Sequence, residues 1–433
     1  MWFQLAEQLH YCLIALYGLA AAVLANHVIY TFCYFPRAIS PWVPRDPKLE
    51  EKGIAPRSWK DRVPILGWLQ LRRESSVFGR GHWIRPMMIE VFLPIGLMAL
   101  YVFEVKQGGL MPEAFQVPAA LLAARDSFAL VFLGHALLIP LMVAATFIDF
   151  DEQTIPDIIT VPGTWLALIV ATMTTQIYMP SVMPIFGPPT HLLPTTFEAP
   201  WFFKGPGLAG FLGSVTSLRI GLAIWAGWNF AMLDRRFPAI VVRRRGIKRA
   251  IQFFVDGVFA HGGWKIVLGM WLIGSAAIIA VYSYGGSAWH GLLTALIGLA
   301  GGGGLVWAIR LVAGWSMGVE AMGFGDVTFM AMIGAFVGWQ ASITSFFLAP
   351  FAAIGIVIIQ FAITRNRYTP FGPYLAAGTL ISVLIWPTIY GENLAQYLKT
   401  IGPVFIWIGL GILALMAVLL MGMRGLRSLR GSV

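Results

Sequence analysis

The sequence predicts an all-α polytopic integral membrane protein, and three observations carry that reading. First, 58% of its 433 residues are hydrophobic and only 12% charged, with a mean hydropathy of +0.75, whereas soluble domains carry roughly 25% charged residues. Too little charge is left to build a water-facing surface of ordinary size, which excludes a soluble enzyme. Second, the apolar residues gather in runs of roughly 17 to 25, the length that crosses a bilayer as a helix. Third, Lys and Arg fall mostly between those runs, where the positive-inside rule places them for topology. The net charge of +10 therefore requires no nucleic-acid partner. Cys12 and Cys33 are the only cysteines, too few for a disulfide framework or a four-cysteine metal site.

About eleven such runs are present, near 11–35, 88–105, 126–148, 158–178, 208–233, 266–284, 290–313, 327–340, 342–363, 374–390 and 402–422. The first is expected to be retained as an anchor, because MWFQLAEQ carries Glu7 and no Lys or Arg, unlike a cleaved signal peptide. Dense basic residues from Arg37 to Arg85 place the segment 36–87 on the cytoplasmic side as a small loop domain, with the N-terminus outside. Alternating the later runs brings three more basic stretches to that same side: the loop from Arg235 to Arg249, Arg365 with Arg367, and the tail with Arg424, Arg427 and Arg430. That agreement tests the segmentation independently. The C-terminus is then cytoplasmic. Residues 179–206 are Pro-rich and suit an irregular excursion outside. The run 327–340 is short for a full crossing and reads as a buried half-length helix or as one arm of a tight hairpin. Gly301 to Gly304 would allow close helix packing. His27 and His135, on mostly apolar helices, read as satisfied core groups.

Ionisable groups at membrane depth are costly, so acids at the edges of the runs are weighed singly. In ATFIDFDEQTIPDIITVPG, Asp149 ends the third run, Asp151 and Glu152 follow, and Asp157 opens the fourth behind Pro156. In VEAMGFGDVTFMAMIGAFVG, Asp326 stands behind Gly323 and Gly325, with Glu320 upstream. Each acid also reads as a helix cap or an interfacial charge. The glycines beside Asp326 would let another backbone approach closely. Topology built only from Lys and Arg assigns both clusters to the cytoplasmic side. Two carboxylates that meet share one proton, and such a pair activates water while protonating a leaving amine. Asp151, Glu152, Asp157 and Glu320 could attract a cationic substrate segment, or serve as solvated interfacial charges.

The two acidic stretches resemble the active-site motifs of prepilin peptidases, membrane aspartyl proteases of the GxGD type, and TPFGPYLAAG at 369–378, with Pro370, Gly372 and Pro373, resembles that family's PFGP segment. The resemblance implies that Asp149 and Asp326 are catalytic and that Pro156, Asp157, Glu320, Gly323, Gly325 and the 369–378 segment support them. It extends to AAVLANHVIYTFCYFPR, DRVPILGWLQLRR and IRPMMIE. Glu90, in the last of these, is the candidate for a methylation or packing role. Many bacterial members carry paired CxxC zinc motifs in the loop domain; here Ser58, Ser75, Ser76 and Gly79 stand in a cysteine-free stretch, so no zinc is expected.

The resemblance implies a multi-pass protein of the bacterial inner membrane. It would cut the leader of type IV prepilin or pseudopilin precursors just after a Gly at the cytoplasmic face, with no cofactor, and use S-adenosylmethionine only if methyl transfer is retained. Membrane lipid is the other expected partner. Against an eight-helix family core, two helices within about 200–288 and one at 402–422 are additions. The expected division is 1–105 with the loop domain, 106–400 as peptidase core carrying the insertion, and 401–433 as an extra helix and basic tail. The rival readings are an ion-coupled transporter and an inactive structural member of a secretion or pilus assembly. The edge position of the acids and the intact motifs weigh against these two readings, respectively.

Overall fold

An apolar chain without water satisfies its backbone N–H and C=O groups internally, and long helices do this within one segment. The computed structural model describes residues 7–112, 118–182, 192–194, 196, 207–234, 247–260, 262–317, 322–364, 370–390, 407, 410–411 and 414–422. Its principal helices are α1 (Glu7–Thr31), α2 (Ile84–Tyr101), α3 (Pro118–Glu152), α4 (Asp157–Met173), α5 (Val215–Asp234), α6 (Ile247–Ala260), α7 (Gly263–Tyr284), α8 (Gly286–Met317), α9 (Phe324–Thr364) and α10 (Gly372–Leu384). Among the described residues, six helical stretches are long and apolar enough to cross a membrane, from α1, α2, α3, α7, α8 and α9, and α4 and α10 are shorter apolar helices. The chain is a predominantly helical multi-pass membrane protein. Strand structure among the described residues is one antiparallel ribbon, β1 (Pro180–Val182) with β2 (Leu192–Pro194), inside the stretch expected to be irregular. Part of the run 402–422 lies outside the described residues.

The chain divides into two compact units that do not follow the order of the sequence: Met1–Gly163 with Phe351–Ala377, and Thr164–Pro350 with Gly378–Val433. In the first, α1 packs on α2 where Gly18 faces the α2 proline. A Cβ on Gly18 would stand 2.7 Å from the Pro94 Cα, so only glycine allows this approach. Tyr17 donates to the Ala136 carbonyl of α3 at 2.8 Å. A π-helical turn, Val102–Lys106, follows α2 and presents buried Glu104 to His135 Nδ1 at 2.6 Å. His27 meets Ser40 Oγ at 3.2 Å. Each histidine is thus partnered through Nδ1, His135 in the core and His27 half-buried.

The cysteine-free loop domain is fastened by ion pairs. Arg57 donates to both Glu74 oxygens, at 2.9 and 2.7 Å, and to the carbonyls of Ser40 and Ala38. Arg73 clasps Asp61 at 2.7 and 2.8 Å, while the Ser58 N–H donates to Asp61 at 2.6 Å. Burial pushes the Asp61 carboxyl up, but donation from Arg73 and Ser58 outweighs it and holds the group below its ordinary range. Glu90 is buried at the root of the domain. It accepts from the Ile65 N–H at 2.6 Å, Trp68 Nε1 at 2.8 Å and Asn26 Nδ2 at 3.1 Å. Ile65 has φ 64, a left-handed conformation unfavourable for a β-branched residue. Glu90 holds that strained turn by its N–H.

In the second unit, α8 and the first arm of α9 approach until their backbones nearly touch. A Cβ on Gly298 would strike the Gly334 carbonyl oxygen, and one on Gly334 would strike that of Gly298. Of the run Gly301 to Gly304, the first three face Trp339, Ser342 with Met330, and Ala331, whereas Gly304 faces open space. Glycine packing predicted from the sequence is present, and Gly298 extends it by a further turn. α9 is broken at Gly338, whose φ of 83 and ψ of 166 are non-helical. The run 327–340 is therefore one arm of a kinked helix, and Val327 to Val337 are buried throughout. Gly298→Ala or Gly334→Ala is expected to cost about 1–3 kcal/mol through overpacking, read as a lower thermal unfolding midpoint of the purified protein in detergent. Gly304→Ala, with nothing to strike, is the control and should leave the midpoint unchanged.

Candidate active site

Asp149 lies in the last turn of α3. The helix ends just beyond it because Gln153 adopts φ 56, and its N–H closes on the Asp149 carbonyl at 2.8 Å. Pro156 is buried in the turn, and Asp157 is the first residue of α4. This sequence therefore builds a short reversal whose upstream edge carries a carboxylate only 3% exposed. The Gly372 N–H donates to Asp149 Oδ2 at 2.9 Å.

Gly372 is the first residue of α10, so Asp149 receives a backbone donor at a helix N-terminus, where the aligned peptide dipoles stabilise negative charge. A Cβ at Gly372 would stand 2.5 Å from that same oxygen and 2.9 Å from the Ile155 Cδ1. The glycine is thus required by close approach of backbone to carboxylate. Pro370 precedes the helix and buried Pro373 lies in its first turn, where proline's fixed φ is pre-organised and its missing N–H costs nothing. Asp149, Ile155 and the 370–373 segment are brought together within the first unit. Gly372→Ala is expected to displace the Asp149 carboxylate while conserving its charge. Any chemistry that Asp149 performs should fall by at least tenfold in kcat with the protein still folded, measured beside its unfolding midpoint.

Asp326 belongs to the second unit. It stands in the first turn of α9 and is 8% exposed. Gly323, exposed, and Gly325 flank it, and Thr328 Oγ1 donates to the Gly325 carbonyl at 3.0 Å. The α9 entrance is fixed from α8: Arg310 Nε donates to the Met322 carbonyl at 3.2 Å, and its guanidinium lies 5.6 Å from the Phe324 ring centre. Glu320 lies outside the described residues. Arg310 is a positioning group that sequence reasoning missed, because a single Arg within an apolar run gives no sign of a carbonyl beyond the next turn.

Asp151 and Glu152 are both engaged by the segments at either end of the loop domain. Arg85 clasps Asp151 at 2.7 and 2.8 Å, and Arg37 reaches the same carboxylate. Arg85 also donates to the Tyr30 hydroxyl at 3.1 Å. Glu152 accepts the N–H groups of Tyr34 and Phe35 at 2.7 and 2.8 Å. Asp151 is an exposed charge at the end of α3 paired with two arginines, as an interfacial acid would be, and Glu152 is engaged by backbone donors. Together they tie the stretch after α1 and the start of α2 to the turn that carries Asp149. Among the described residues, no group of three or more His, Cys, Asp or Glu is placed to hold a metal ion.

Residues 264–358 match the model of the type IV leader peptidase family. That stretch contains Gly323, Gly325 and Asp326, while Asp149 and Gly372 lie outside it. A prepilin leader peptidase/N-methyltransferase of Aeromonas hydrophila is 32% identical over 100 residues, covering 22% of this chain and 31% of that protein. Proteins of the same description from Pseudomonas putida and Escherichia coli K12 are 35% identical over 94 residues and 31% over 96, covering 20% and 21% of this chain and 30% and 43% of theirs. The chain thus spans about a third to two fifths of the length of these relatives. No solved structure matches it.

Proposed function

We propose that this chain, which carries a type IV leader peptidase segment at residues 264–358, is a prepilin peptidase: an aspartic endopeptidase of the GxGD type that cuts the leader from prepilin-like precursors. The observation that carries the proposal is the pairing of the family match around Asp326 with the Asp149–Gly372 geometry. A buried carboxylate receives a helix N-terminus from the 370–373 segment, Pro-Phe-Gly-Pro. The names of the similar proteins supply the substrate class. The proposed seat is the cytoplasmic face of a bacterial inner membrane, with the N-terminus outside and the C-terminus inside.

In this reading Asp149 and Asp326 supply the two carboxylates of aspartic proteolysis. The ionised one takes a proton from water as the water oxygen bonds to the carbonyl carbon after the leader glycine. The protonated one donates to the carbonyl oxygen. Collapse of the tetrahedral intermediate breaks the C–N bond, the proton taken from water passes to the departing amine, and the proton on the former carbonyl oxygen returns to the carboxylate that gave it. The Gly372 N–H sets the orientation of Asp149 throughout. Pro156, Asp157, Gly323, Gly325, Pro370 and Pro373 shape the two turns that hold the acids, and Glu320 is proposed to support the second.

Methyl transfer from S-adenosylmethionine does not fit the acid first considered for it. Glu90 already accepts three donors, through both carboxylate oxygens, in holding the loop domain, so no step is assigned to that cofactor. The test is incubation of the purified full chain, reconstituted in liposomes, with a type IV prepilin-like precursor, followed by product mass spectrometry. A cut directly after the leader glycine supports the proposal. Intact precursors under conditions that preserve the fold would return the transporter and inactive-scaffold readings.

A further inference from the structure

Helix α6 differs in kind from its neighbours. Its sequence places Ile247, Ile251, Phe254, Val255 and Val258 at i, i+4, i+7, i+8 and i+11, one side of a helix, with Lys248 at the border of that side and Arg249, Gln252 and Asp256 opposite it, together with Phe253. Ile251, Val255 and Phe259 are 51%, 42% and 58% exposed, so protein leaves them uncovered. Lys248 and Arg249 are exposed as well.

The chain then turns through Gly262, at φ 69, directly into α7, which is long and apolar enough to cross a membrane. The C-terminal end of α6 is therefore held next to the end of a membrane-crossing helix. At that junction the Phe259 and Trp264 rings meet edge to face at 5.2 Å, and Lys265 lies 6.0 Å from the Trp264 ring centre. Aromatic and cationic groups together suit headgroup depth. In the sequence, Arg243, Arg244 and Arg245 precede Lys248 and Arg249, five cations within seven residues, against Asp256 as the one acid of α6.

We propose that α6 is an interfacial helix that docks on anionic phospholipid, with its apolar side in the acyl boundary and its cations on the headgroups. Charge complementarity selects an anionic surface, and continuity with α7 makes that surface the bilayer itself. Amphipathic helices with basic polar faces bind in this way, through buried apolar area together with attraction to anionic lipid. The docking stands independently of proteolysis.

Hydrogen exchange of the full chain in nanodiscs, made of phosphatidylcholine alone or with one third phosphatidylglycerol, tests the proposal. Amides of 247–260 are expected to exchange more slowly with phosphatidylglycerol, by about fivefold for each cation engaged (about 1 kcal/mol each), and the difference should shrink in high salt. Lys248→Glu with Arg249→Glu should remove it while α7 and α8 exchange as before. Ile251→Asp should speed exchange of α6 in both lipids. Equal rates in the two lipids, or slowing that survives the double charge reversal, would overturn the docking. Slowing that required an added acidic cytosolic protein would overturn it as well.

Discussion

Asp149→Asn is expected to lower the rate of precursor cleavage by about 10²- to 10⁴-fold, the range that positioned acid–base groups contribute, and Asp326→Asn by a similar factor. The amide is chosen because its oxygen still accepts the Gly372 N–H, which meets Asp149 Oδ2 at 2.9 Å in the wild type. The turn at the end of α3 keeps its closure, so loss of rate reports chemistry and not collapse. An amide neither accepts a proton from water at neutral pH nor donates one as an acid does. At Asp326 the same change leaves the buried first turn of α9 sterically unaltered. The check is single-turnover cleavage beside thermal unfolding for each variant.

Glu74→Ala is expected to destabilise the loop domain by about 3–5 kcal/mol, the cost of leaving one partner of a buried ion pair uncompensated. The Arg57 and Glu74 side chains are 8% and 1% exposed, so neither solvent nor salt replaces the lost partner, and the Ala38 and Ser40 carbonyls are left to share the guanidinium. Glu74→Gln, which retains an acceptor, should cost less. Limited proteolysis within residues 45–80 is the readout, with cleavage expected in the alanine variant under conditions where the wild type resists.

The same domain should loosen in acid through Asp61. Its carboxyl is held below its ordinary range in the folded state, so its contribution is fully present above the unfolded value of about 3.9. It is lost as pH falls through the lower folded value. Asp61→Asn should remove that part of the pH dependence.

Membrane character and the motif residues were legible in the sequence because they depend on local information. Apolar run length is a one-dimensional property, and GFGD, IPD and PFGP are contiguous. The run from Gly301 to Gly304 announced a close helix approach for the same reason. Partnerships across the chain were not legible. Arg57 and Glu74 are 17 residues apart and Asp151 and Arg85 are 66 apart, and nothing in either neighbourhood indicates that these charges face each other. Asp151 and Glu152 therefore read as open surface acids, although both are engaged in fastening the loop region. Gly338 stood unremarked inside the run 327–340, just short of its drawn end, and only its positive φ shows that the break falls there. Glu90 was singled out by its position after Arg85 and Pro86, but its three donors come from two other segments.

In the proposed mechanism Asp149 and Asp326 act as one unit in peptide hydrolysis. The most direct measurement is cleavage of a prepilin-like precursor by the wild type, the two single asparagine variants and the double variant, with product masses recorded. Residues that act as one unit give losses that do not multiply. The expected result is wild-type cutting after the leader glycine, each single variant slowed by at least about 10², and the double variant no slower than the weaker single one. Full activity in either single variant, or losses that multiply in the double variant, would contradict the shared mechanism.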